Sequence, residues 1–181
     1  MLPYVFLLLA LGLRFVSFPT AFTSVGAALL FFGARGSRSY AWIPLALSAA
    51  ADVVLTKFYY GYPVTWDHLV TWAWYAAVLG LGMTLRNTKS ALRIGGASLF
   101  SSIVFFVVSN FAVWASAWGT MYERSLAGLT ACYVAAIPFF RHNVTADLVF
   151  TAVFFTIPVL IYGTAGEGMT TVGEEAKLTR R

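Results

Sequence analysis

Ala136-Ala-Ile-Pro-Phe-Phe-Arg-His-Asn-Val-Thr-Ala-Asp-Leu-Val-Phe150 decides how many times this chain is counted as crossing an apolar medium. The stretch is hydrophobic up to Phe140, turns polar through Arg141-His-Asn143, and becomes apolar again from Val144. Pro138 removes a backbone donor just before the polar triplet, which is how a helix is commonly ended. The pattern predicts a stop at Pro138, a turn at Arg141-His-Asn143, and a last helix over residues 144–163 with Asn143 or Thr145 as its cap. Asp147 then sits one turn inside that helix. A carboxylate is costly to place in lipid, so it is expected to face the protein interior or water. Residues 125–139, interrupted by Gly128 and Pro138, are too short for a confident crossing and predict a re-entrant or surface helix before the last span.

Composition fixes the solvent. Hydrophobic residues make up 60% of the 181 residues and charged residues 10%, with a mean hydropathy of +0.78. A soluble domain carries about 25% charge, so the fold class is an all-α membrane protein. The length allows one six-helix transmembrane domain over residues 1–165, at roughly 20 apolar residues per span, followed by a polar tail at 166–181. Lone Cys132 excludes an internal disulfide. The first apolar run lacks a basic leader and reads as a retained helix. No basic stripe with interleaved aromatics points to nucleic acid.

Upstream of the deciding stretch, the apolar runs predict helices near residues 3–17 (stopped by Phe18-Pro19), 22–34, 40–58, 66–85 and 91–115. All but the second carry a polar anomaly. Arg14 is one turn before the first stop, either snorkelling to headgroups or facing inward as an anion-binding group. Asp52 lies inside the third run, as a functional carboxylate or as the partner of Arg14 or Lys57. Asp67 and His68 open the fourth helix, where Asp67 suits the helix dipole, and Trp66, Trp72 and Trp74 are interfacial belt residues or a stacking wall. On the fifth helix, Ser101 and Ser102 read as cross-helix hydrogen bonders. Asn110 and Trp114, four residues apart, share a face.

The basic residues orient the bundle. Arg35, Arg38, Arg86, Lys89, Arg93, Lys177, Arg180 and Arg181 fall on one side, against Lys57, Arg124 and Arg141 on the other. The positive-inside rule then places both termini in the cytoplasm. A crossing by residues 125–139 would erase that bias, so six spans are preferred to seven. Alternating directions bring Arg14, Asp52, His68, Asn110, Trp114 and Asp147 to one depth near the outer face. With Trp72 they form the candidate substrate-binding set. Paired acids, one Arg and aromatic walls suit a small polar or zwitterionic ring-bearing solute. No H-E-x-x-H, C-x-x-C, G-x-S-x-G or Walker loop is present. His68 and His142 are lone, so no enzyme, metal or cofactor is expected.

Residues 125–130, Ile137-Pro-Phe-Phe140 and Ala146-Asp-Leu148 resemble the substrate-binding membrane subunits, or S components, of energy-coupling factor vitamin transporters, the biotin-type subunits most of all. Residues 22–33 are similar to that family's second helix. Nearly the whole chain also resembles an uncharacterised group of bacterial membrane proteins known only as candidate transport proteins, in residues 48–52, Ser109-Asn110-Phe111 and the Pro-Phe-Phe stretch. The first resemblance implies a six-helix bundle in the bacterial inner membrane with an outward pocket for a vitamin-sized solute. It also implies a transmembrane coupling subunit and ATPases as partners. S components often carry Ala-x-x-x-Ala on helix 1 for docking. Here Ala10 is followed four residues later by Arg14, which leaves a solitary mode open. The alternative from another class is a structural or assembly subunit of the cell envelope with no solute.

Overall fold

The computed structural model describes the backbone of residues 1–16, 24–116 and 121–178, and the side chains of these except Asp67 and residues 162–178. The stop expected at Phe18-Pro19, the Asp67 side chain and the side chains of the polar tail therefore lie outside the described residues. The described chain is all-helical: α1 (Leu2–Phe15), α2 (Val25–Arg35), α3 (Trp42–Val54), α4 (Asp67–Thr84), α5 (Ala91–Ser116) and α6 (Leu126–Leu178). A 3-10 turn, Arg38–Tyr40, leads into α3, and a π turn, Leu55–Tyr59, continues it. Among the described residues, three segments are long and apolar enough to cross a membrane, namely Arg38–Tyr59, Ala91–Ser116 and Leu126–Ile161. Outward-facing Leu8, Leu9, Phe100, Val107 and Val153 are exposed, as lipid contact requires of an apolar face.

The deciding stretch folds differently from its sequence reading. There is no stop at Pro138, no turn at Arg141-His-Asn143 and no separate re-entrant or surface helix. One helix, α6, runs through all of it with Pro138 and Pro158 inside. Proline costs one backbone hydrogen bond, whereas a turn in an apolar medium exposes several unsatisfied N–H and C=O groups, each worth several kcal/mol. The polar triplet is absorbed locally. A His142 ring nitrogen, Nδ1, lies 2.7 Å from the Pro138 carbonyl oxygen, and Thr145 Oγ1 donates to the Arg141 carbonyl at 2.8 Å. Asn143 and Thr145 are mid-helix residues and cap nothing.

The core forms around α2, in which every residue from Val25 to Ala34 is buried. At 11 residues it is about 16 Å long, so it ends inside the protein at its N-terminal side. Pairs of contacts give the helix directions. Tyr4 meets Phe32 edge-on at 5.0 Å and Phe6 meets Phe31 at 5.2 Å, so α1 is antiparallel to α2. Phe6 stacks on Phe154 at 4.4 Å, fastening α1 to α6. A side chain added at Gly33 would run into the Leu79 carbonyl oxygen, and one at Gly82 into the Leu30 carbonyl. These two glycines let α2 and α4 touch backbone to backbone, the close approach that small residues permit. At the C-terminal end of α2 the basic loops interlock. Arg35 Nη1 donates to the Arg86 carbonyl at 2.6 Å and Nη2 to the Thr88 carbonyl at 3.3 Å, while Arg86 donates back to the Gly36 carbonyl.

Candidate functional site

A cavity of about 440 Å³ opens at the N-terminal ends of α2 and α4, the end opposite those basic loops. Periodicity builds its walls. On α6, Ala136, Phe139, Phe140, Asn143 and Asp147 all line it; their spacing of three and four residues is one helical stripe. On α5 the stripe is Ser102, Phe105, Phe106, Ser109 and Asn110. From α4 come His68, Thr71, Trp74 and Tyr75. Arg14, Asp52 and Thr56 complete it from α1, α3 and the π turn.

Two polar clusters meet there. In the first, Arg14 Nη1 lies 2.6 Å from Asp52 Oδ1 and donates to Tyr75 Oη at 3.1 Å. The Tyr75 hydroxyl donates to Asp52 Oδ1 at 3.0 Å and the Trp72 indole N–H to Oδ2 at 3.2 Å. Arg14 thus turns inward instead of snorkelling, and its partner is Asp52. Of the two cations considered for Asp52, it is Arg14 that reaches it. The π turn follows one turn later, with the Tyr60 N–H on the Leu55 carbonyl at 2.9 Å. Such single-turn bulges reset the helix phase. Thr56 Oγ1 lies 3.1 Å from His68 Nε2, and His68 Nδ1 lies 3.2 Å from the Thr65 carbonyl oxygen.

In the second cluster, Ser102 Oγ donates to Asp147 Oδ2 at 2.6 Å across α5 and α6, the cross-helix role read for that serine. Thr151 Oγ1 donates to Ser98 Oγ at 3.1 Å one turn further along. The Ala27 backbone N–H also points to the Asp147 carboxylate. Ala27 is in the first turn of α2, where helical N–H groups lack intrahelical acceptors. Asp147 therefore caps α2 from another helix, and its charge sits where the helix dipole favours an anion. Gly26 makes this possible: a Cβ there would lie 2.7 Å from Asp147 Oδ1. Ser102→Ala is expected to cost about 1–3 kcal/mol of stability in detergent melts, the range for a buried polar group losing its partner. An unchanged melt would remove Ser102 as that partner.

Five of the seven sequence-selected residues, Arg14, Asp52, His68, Asn110 and Asp147, line this one cavity. Trp72 stands behind the wall, on Asp52. Trp114 is elsewhere: its indole N–H donates to the Glu123 carbonyl at 3.0 Å and its ring lies against Phe111. Asn110 Nδ2 donates to its own helix, at the Phe106 carbonyl, 2.7 Å away. Tyr75 and Asn143 were missed as pocket residues. Tyr75 lies three residues beyond Trp72 and seven beyond His68, a same-face spacing that could have found it. Among the described residues, Asn143 Oδ1 is buried with no hydrogen-bond partner; the expected turn disguised it. Aromatic pairs, Trp74 with Phe105 at 4.3 Å and Phe106 with Phe140 at 4.4 Å, form apolar walls.

No curated protein and no solved structure matches this chain. A protein-family model does match, over residues 1–166, and the chain belongs to that family, the family of unknown function DUF6580.

Proposed function

We propose that this chain is a multi-pass protein of the bacterial inner membrane that binds a small solute for uptake, in the manner of an S component. The observation that carries the reading is the cavity: charged and amide side chains from α1, α3, α5 and α6 converge on one space of about 440 Å³. Ligand pockets span about 300–1,000 Å³ and combine apolar walls with a few placed polar groups. Ionisable residues within membrane helices also mark solute paths by default. With six alternating spans and the Arg35 and Arg86 loops in the cytoplasm, the cavity opens outward, as capture from outside requires.

A coupling subunit with ATPases belongs to the same reading, but a solitary mode has better support. Ala10 is fully buried and Arg14 turns to Asp52, so the helix-1 register used for docking in S components is not on an outer face. Native mass spectrometry of the full chain in mild detergent tests the proposal. A co-purifying small molecule is expected, and it is expected to be lost in Asp147→Asn. A bare protein mass, with no thermal stabilisation by a panel of vitamins and metabolites, would transfer the assignment to a cell-envelope scaffold subunit.

A further inference from the structure

We infer that the solute is an organic cation: a ring-bearing body carrying a protonated nitrogen, seated between the aromatic pairs with its N–H groups on Asp147 and Asn143. The inference rests on the solute-binding reading above and narrows its ligand to one charge.

The charges lining the cavity do not balance. Two carboxylates, Asp52 and Asp147, face it, against one permanent cation, Arg14. Arg14 and Asp52 neutralise each other at 2.6 Å. Asp147 is 6% exposed, and the groups on it are dipoles, the Ser102 hydroxyl and the Ala27 N–H. Among the described residues no ion pair reaches it. The α2 N-terminus supplies the equivalent of about half a positive charge, so a negative excess remains in a partly desolvated space. Buried charge is retained where something pairs with it.

The hydrogen-bond balance points the same way. Asn143 lies one helical turn from Asp147 on the same stripe, and among the described residues nothing donates to its buried Oδ1. An acceptor buried without a donor is destabilising unless a ligand supplies one. A carboxylate and an amide oxygen on adjacent turns are both met by a nitrogen bearing two or more protons. The walls fit the rest of such a ligand. Trp74 with Phe105 and Phe106 with Phe140 present ring surface to the cavity, and aromatic faces attract cations when water is excluded. A zwitterion fits less well, because the guanidinium that would hold its carboxylate already holds Asp52.

Three probes on one indole scaffold separate the charge states: tryptamine, indole-3-acetamide and indole-3-acetate. Each is titrated against the full chain in detergent, with affinity read by thermal shift and calorimetry. Tryptamine is expected to bind about tenfold or more tighter than the amide, with the acetate weakest. In Asp147→Asn the preference for tryptamine over the amide is expected to fall below about threefold. Since Asp147 also caps α2, Asn143→Ala is the second variant. It removes an unpartnered oxygen, so the fold is kept, and tryptamine affinity is expected to drop about fivefold or more. Trp114→Phe, outside the cavity, is the matched control. Binding that favours the acetate, ignores charge, or keeps its cation preference in both cavity variants would overturn the inference and leave solute binding standing. No binding of any probe, together with a bare mass from native spectrometry, would overturn both.

Discussion

Gly33→Ala is expected to leave little folded protein, while Gly80→Ala, on the facing helix, leaves the melting behaviour almost unchanged. The two substitutions add the same methyl group. At Gly33 it would collide with the Leu79 carbonyl oxygen and come within 2.9 Å of both Gly82 Cα and Met83 N, all of them backbone atoms. Backbone cannot rotate aside as a side chain can, so α2 and α4 would have to separate. Overpacking of this kind costs about 3 kcal/mol or more where nothing can yield. The shift would spread, because α2 is buried on all sides and carries the rings of Phe31 and Phe32 into α1 and α6. At Gly80 nothing among the described residues lies within 4 Å of the added carbon. The change there is a helix-propensity gain of up to about 1 kcal/mol. Gel filtration and thermal melts in one detergent make the comparison. Equal behaviour of the two variants would rule out the α2–α4 backbone contact.

Asp52→Ala is the second large effect, expected at about 3–5 kcal/mol, the cost of breaking a buried ion pair from one side. It leaves the Arg14 guanidinium, always charged, in the core with the Tyr75 hydroxyl alone of the contacts described above. Arg14→Met is expected to cost less, about 1–3 kcal/mol, because Asp52 keeps two donors, the Tyr75 hydroxyl and the Trp72 indole N–H. The double variant Arg14→Met/Asp52→Ala removes both charges and is expected to be more stable than Asp52→Ala alone. Apolar replacement of a whole buried pair is often neutral. A double-mutant cycle in detergent melts measures this. Strict additivity would show that the two side chains do not act as a pair.

The sequence alone determined the solvent and most helix positions, since a chain with 60% hydrophobic and 10% charged residues must satisfy its backbone internally wherever it meets lipid. The polar anomalies were legible for the same reason: Arg14, Asp52, Asn110 and Asp147 each break an apolar run. Their pooling could be read from alternating helix directions, which follow from short loops. What could not be read was how one residue's loss is made good by another. Pro138 looked like a stop because local propensity carries no record of the neighbouring medium; the structure continues α6, since one lost hydrogen bond costs less than an open turn. The space beside Gly26 is occupied by the Asp147 carboxylate, while the backbone approach falls to Gly33 and Gly82. Trp114 shares a face with Asn110 but points past the cavity to Glu123. Partner choice depends on the rotation of each helix about its axis. Only the tertiary packing of α2 between α1, α4 and α6 selected the one that places Asp147 on its N-terminus and Arg14 on Asp52.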